Sequence, residues 1–202
     1  MVRVGRHLLR VLIVLEIYFD ILKLELEWNR PDVSIPDGAH GDIKLLFDYW
    51  RSISPEGKIP GRQHFDPIEI SQILPNLWLI EVHRDPLRFW RRLVGSKIEE
   101  FAGMNLTGGW VGDRLSGARL SGVHSFLMDV VETKQPNWRR GKSLIRFEKD
   151  FAELERLYLP MATDGETVDM ILAVTVFFKP QIPEGGNLNE MPGSVDREFA
   201  GY

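Results

Sequence analysis

Residues 154–178 read LERLYLPMATDGETVDMILAVTVFF. Two apolar runs flank Asp164-Gly165, and an Asp-Gly pair between β-rich runs is a strong hairpin signal. The spacing predicts strands over 154–161 and 168–178. A third strand is expected just upstream, over 137–147, after Pro136 ends the preceding connection. A second hairpin is expected earlier in the chain. Pro75-Asn76 introduces an apolar run from Leu77 to His83, Asp85-Pro86 makes a turn, and Arg88 to Val94 returns.

Between the two strand groups the periodicity changes. Gly95 breaks the strand, and Ser96 with Glu99 three residues on predicts a capped short helix over 96–102. Leu120 to Glu132 carries Val123, Phe126, Leu127, Val130 and Val131 at helical spacing. Upstream, Asp42 is the expected N-cap of a helix bearing Ile43, Leu46, Phe47 and Trp50, and a helical turn is expected over 68–74. No βαβ rhythm appears, so the fold class expected is α+β. Its core is a five-stranded antiparallel sheet with helices on one face. A ligand would sit between the sheet and the helices that join strands two and three.

Three segments follow: an N-terminal helix and linker at 1–41, a domain at 42–179 and a flexible tail at 180–202. Glu16, Asp20, Lys23 and Glu27 fall on one helical face of an otherwise Leu-, Ile- and Val-rich stretch, which predicts an amphipathic helix over 7–28. Its charges interrupt any spanning segment and no cleavage site follows. Packing on the domain or on a dimer mate is the leading expectation, with membrane-surface contact behind it. After Pro180 the tail is rich in Gly, Pro and Asn.

The chain has 202 residues, a net charge of −4 and no cysteine. The charge gives no global attraction to nucleic acid, which is not expected as a partner. The missing thiols exclude disulfides, thiolate zinc sites and cysteine nucleophiles. The five histidines, at 7, 40, 64, 83 and 124, include no i, i+4 pair. Nucleophile elbows, Walker loops and kinase motifs are absent. No catalytic residue, no metal site and no enzymatic activity are expected, and the cytoplasm is the expected location.

Several short motifs in order resemble one family. They are Leu-Phe-Asp-Tyr-Trp at 46–50, Asp66-Pro67 with Ile70, Leu74-Pro75-Asn76-Leu77, Arg88-Phe89 with Arg92-Leu93-Val94-Gly95, and Asn105-Leu106-Thr107-Gly108. Glu155-Arg156-Leu157, Leu159-Pro160 and 164–170 complete the series. Over residues 42–178 this resembles the stand-alone bacterial PAS sensor proteins. The resemblance implies a PAS fold and a non-enzymatic signalling role, through a small apolar or acidic metabolite or through a signalling protein. The alternative is an interaction or dimerisation module whose pocket its own side chains fill. A chain of this length is expected to carry no output domain.

Cofactors known among PAS domains can be weighed against these residues. Without cysteine, neither a cysteinyl-flavin adduct nor a thioester-linked chromophore can form. His124 resembles the position from which haem-binding PAS domains present a ligand, but a lone helical histidine is expected to be a packed or surface residue. The ligand itself stays unknown. The pocket candidates are Phe101, Leu106, Trp110, Phe126, Trp138, Tyr158 and Leu172, with Arg140 or Arg156 to hold an acidic group bidentately. Core packing is the competing reading of each apolar member. Alternation sends Trp138 and Arg140 to one face and Arg139 to the other. Arg88, Arg91 and Arg92 are expected to pair with Glu153 or Glu155 across the sheet.

Overall fold

The computed structural model describes residues 35–113, 117–143 and 153–178, without the side chains of 117–119. The expected helix at 7–28 and the tail at 180–202 lie outside these residues. Helix α1 (Gly41–Ser52) and a 3-10 segment (Pro67–Asn76) lead into β1 (Leu77–His83) and β2 (Arg88–Val94). Helix α2 (Ser96–Ala102), β3 (Gly109–Trp110) and helix α3 (Gly117–Thr133) follow. Strands β4 (Asn137–Gly141), β5 (Glu153–Met161) and β6 (Met170–Phe178) complete the domain.

The strands form one antiparallel sheet in the order β3-β2-β1-β6-β5-β4. The C-terminal strands therefore lie beside the β1–β2 hairpin, as expected. Among the described residues the sheet has six strands rather than five. Trp110 and Gly109 pair with Trp90 and Arg91, and two residues are too few to leave an alternation in the sequence.

Helices cover both faces, not one. Leu77 and Leu79 of β1 point to a layer with Ile43, Leu46 and Phe47 of α1 and with Leu157, Leu159, Leu172 and Val174. Trp78, Ile80 and Val82 point to the opposite layer, with Ile98 of α2, Leu127 and Val130 of α3, and Ile171, Ala173 and Phe177 of β6. The continuous apolar runs of β1, β5 and β6 are buried on both sides, and such strands need cover on both. Each fully buried Leu or Ile contributes about 1.5–3 kcal/mol by leaving water.

Two caps differ from expectation. His40, not Asp42, caps α1: its Nδ1 accepts from the Asp42 amide at 3.1 Å. The Asp42 carboxylate instead accepts from Asn76 Nδ2 at 2.9 Å, which ties the helix to the start of β1. Gly95 occupies the N-cap of α2 and supplies no side-chain bond. Glu99 turns away from the helix end and accepts from the amides of Leu106 and Thr107 and from Thr107 Oγ1, holding the α2–β3 loop.

The Asp164-Gly165 turn forms as the sequence predicts. Asp164 Oδ1 accepts from the amides of Glu166 and Thr167 at 2.8 and 2.7 Å, and Gly165 takes φ +83°. The Thr167 and Glu166 amides favour the ionised carboxyl and pull the Asp164 pKa down to about 2.

Candidate functional site

Register builds an unusual polar cluster on the α3-covered face. Arg139 of β4 stands opposite Arg156 of β5, and Arg156 stands opposite Thr175 of β6. Alternation sends all three to the layer that holds Trp78 and Tyr158. The sheet and helices leave Arg139, Arg156, Tyr158 and Thr175 between 0% and 6% exposed.

Trp78, Thr175 and Arg156 form a chain of hydrogen bonds. Trp78 Nε1 donates to Thr175 Oγ1 at 2.8 Å, and Arg156 Nε donates to the same oxygen at 3.2 Å. Tyr158, buried in the same layer, lies close enough to Arg156 and Arg139 for both cations to favour its ionised form. Aromatic rings sit around the cations. The Arg139 Cζ lies 3.1 Å from the Phe126 centroid and 5.6 Å from that of Tyr158, and the Arg156 Cζ lies 5.9 Å from that of Trp78.

Electrostatics follow from this burial. Desolvation pulls the Arg139 guanidinium down to about 9, opposed by Tyr158 and reinforced by Arg156, and it stays protonated at neutral pH. Desolvation alone would raise Tyr158, yet the neighbouring charges of Arg156 and Arg139 outweigh it and leave the phenol below its ordinary 10.0. A phenol ionising below that value is therefore expected in a spectrophotometric titration, and it should vanish in Tyr158→Phe. Its stabilising contribution grows as pH rises from the folded pKa toward the unfolded one and is lost as pH falls through the folded pKa. Identical ultraviolet titrations of the two proteins would refute the assignment.

The structure separates the pocket candidates. Phe126, Arg156 and Tyr158 belong to the cluster, and Leu106 packs in the same layer. Phe101 joins that layer by stacking on Phe177, with centroids 4.0 Å apart. Leu172, Trp138 and Arg140 lie on the opposite face. Leu172 is in the α1-side core. Trp138 Nε1 donates to Glu155 Oε1 at 2.7 Å, and Arg140 Nε meets Glu153 Oε2 at 3.2 Å. Trp110 stands at the sheet edge, against Trp90, His83 and Arg88.

Arg139, Thr175 and Trp78 were not singled out from the sequence as site residues. Alternation between Trp138 and Arg140 separates Arg139 from them; which of the two faces meets α3 is not readable from the sequence.

The β2 arginines do not reach Glu153 or Glu155. Three strand spacings, roughly 14 Å at about 4.8 Å each, separate β2 from β5. Arg92 pairs with Glu81 at 2.7 Å and Arg88 with Asp113 at 3.6 Å, while Arg91 Nε donates to the Leu106 carbonyl at 2.7 Å. His124 Nε2 donates to the Val111 carbonyl at 3.2 Å, and its ring meets Phe89 edge-on at 5.6 Å.

An open cleft of about 500 Å³ lies elsewhere, lined by Trp50, Arg51, Lys58, Lys134 and Glu166 among others, and none of the candidates lines it. Among the described residues there is no cluster of potential metal ligands, and no helix is long and apolar enough to cross a membrane.

No curated protein matches the chain at a significant level. The matched stretch of a family model described as PAS domain runs from residue 39 to residue 176, which takes in α1, strands β1 to β5, β6 up to Val176 and the buried arginine cluster. With an antiparallel sheet in this strand order and match of that extent, the chain belongs to the PAS-domain family.

Proposed function

We propose that this PAS domain is a non-enzymatic sensory or regulatory module that takes a small ligand on its α3-covered sheet face. The observation that carries the reading is the buried polar group of Arg139, Arg156, Tyr158 and Thr175, with Thr175 Oγ1 accepting from Trp78 and Arg156, set against an apolar layer. Buried polar groups of this kind hold a ligand's orientation while apolar walls supply affinity. The ligand acts by binding two conformational states unequally. The signal then passes to a protein partner, in the cytoplasm on this reading, with residues 7–28 as a homodimer element.

Native mass spectrometry of freshly purified full-length protein tests it. A bound small molecule is expected, with hydrogen-exchange protection rising at 126–131 and 154–158 when it is present. Apo protein that shows no thermal shift across a metabolite library would refute ligand binding. That result would favour the second reading, an interaction module with a self-filled interior. The burial of Tyr158 and the Phe101–Phe177 stack support that alternative.

A further inference from the structure

Lys134 has φ +58°, in the left-handed region that glycine or asparagine normally fills just past a helix. It directly follows α3, and its amide donates to the Val130 carbonyl at 3.0 Å. A lysine held there against its backbone preference points to a use for its side chain. That side chain is exposed and lines the open cleft of about 500 Å³. Two more exposed cations line it. Arg51 comes from the last turn of α1, and the Lys58 stem lies across the β5–β6 turn, where a Cβ on Gly165 would come within 2.9 Å of its Cδ. Among the described residues none of the three makes an ion pair, although Glu166 lines the same cleft. A cation at a helix end complements the helix dipole, which accounts for Arg51. It accounts neither for Lys58, which lies in a loop, nor for the Lys134 backbone.

The cleft also has a fixed apolar wall. Trp50 stacks on Phe47 with centroids 6.4 Å apart, and its Nε1 donates to the Pro160 carbonyl at 2.8 Å. Ile59 lines the cleft too, and its amide donates to the Gly165 carbonyl at 3.0 Å, which ties the loop to the turn. We propose that this cleft docks an acidic segment of a partner protein, with carboxylates on Arg51, Lys58 and Lys134 and an apolar side chain against Trp50. The inference rests on the part of the reading above in which the signal leaves through a protein partner, and it is independent of the α3-covered face. The occupant follows from the charges. They are exposed and spread around an open cleft, so a small anion meets only screened cations one at a time. A segment that spans the cleft engages all three and buries apolar surface as well. The net charge of −4 opposes a long polyanion such as nucleic acid.

Fluorescence polarisation on the full chain tests this with a labelled peptide of about a dozen residues, in which Asp and Glu flank a Leu-Phe pair. The control peptide carries Asn and Gln in place of the acids. The acidic peptide is expected to bind on the order of 10-fold more tightly at low salt, and the gap should close as ionic strength rises toward about 0.5 M. Lys58→Glu and Lys134→Glu should each remove most of the gap, and Glu166→Gln should widen it. Lys134→Gly separates backbone from side chain. It should raise the Tm by about 2–4 °C as the left-handed strain is relieved, and it should bind the acidic peptide less well. Equal binding of the two peptides, or a preference untouched by the lysine changes, would overturn the proposal. So would AMP or inorganic phosphate displacing the peptide at concentrations below its Kd, which would make this a small-anion site. A dimer that Lys58→Glu dissolves would make the occupant a second copy and overturn it too. Peptide failure alongside a co-purified small molecule would leave the ligand-binding reading standing. Peptide binding by a protein that takes no metabolite would uphold the docking cleft and end that reading.

Discussion

Replacing Gly95 by alanine is expected to lower the unfolding free energy by about 3 kcal/mol. Gly95 has φ −66° and ψ 147°, which any residue adopts, so backbone freedom is not the reason for glycine here. The reason is space. A Cβ at this position would overlap the carbonyl oxygens of Leu74 and Pro75. Both belong to the 3-10 segment that feeds β1, and the Gly95 amide donates to the Leu77 carbonyl at 2.7 Å. The obstacle is backbone on backbone, with no flexible side chain to move aside. Relief would separate the end of β2 from the start of β1. Gly41 is the control, since a Cβ there meets nothing within 4 Å and it lies in the first turn of α1. Gly41→Ala should leave stability unchanged or raise it by up to about 1 kcal/mol. Urea unfolding followed by tryptophan fluorescence reads both, and a Gly95→Ala protein within 0.5 kcal/mol of the parent, roughly the scatter of neutral surface changes, would defeat the packing argument.

Thr175→Val should cost about 3 kcal/mol, although the two side chains have nearly the same volume. Thr175 is fully buried, and its oxygen accepts from Trp78 Nε1 and from Arg156 Nε. Valine leaves two donors without that acceptor, one of them on a cation, and each orphaned buried group costs about 1–3 kcal/mol. Thr175→Ser keeps the oxygen and loses one methyl, an expected loss of about 1 kcal/mol. The order of the two variants is the measurement that matters. Valine as stable as serine would mean that the hydroxyl is dispensable, and the polar chain would lose its anchor on β6.

The sequence revealed most where interactions are local. Strands Leu77–His83 and Arg88–Val94 and helix Ser96–Ala102 were predicted with the bounds they have. Period-two and period-3.6 patterns, together with turn residues at their ends, depend only on near neighbours. Asp164-Gly165 was legible for the same reason, because the aspartate bonds to amides two and three residues on. Cap identity was less legible. Ser96 and Glu99 match a capping box, yet Glu99 found better partners in the Leu106–Thr107 amides.

Family membership, the antiparallel α+β class and the split of Arg139 from Trp138 and Arg140 were therefore determined by the sequence alone. Which face of each strand meets α3 was decided by the tertiary structure. Alternation divides residues into two sets without saying which set lies inside which layer. Leu172 thus sits with Leu79 and Leu159 in the α1-side core, while Arg139, Arg156 and Thr175, far apart in the chain, converge opposite it. That convergence is set by strand order and register, which arise from long-range pairing and leave no mark on any single stretch of residues.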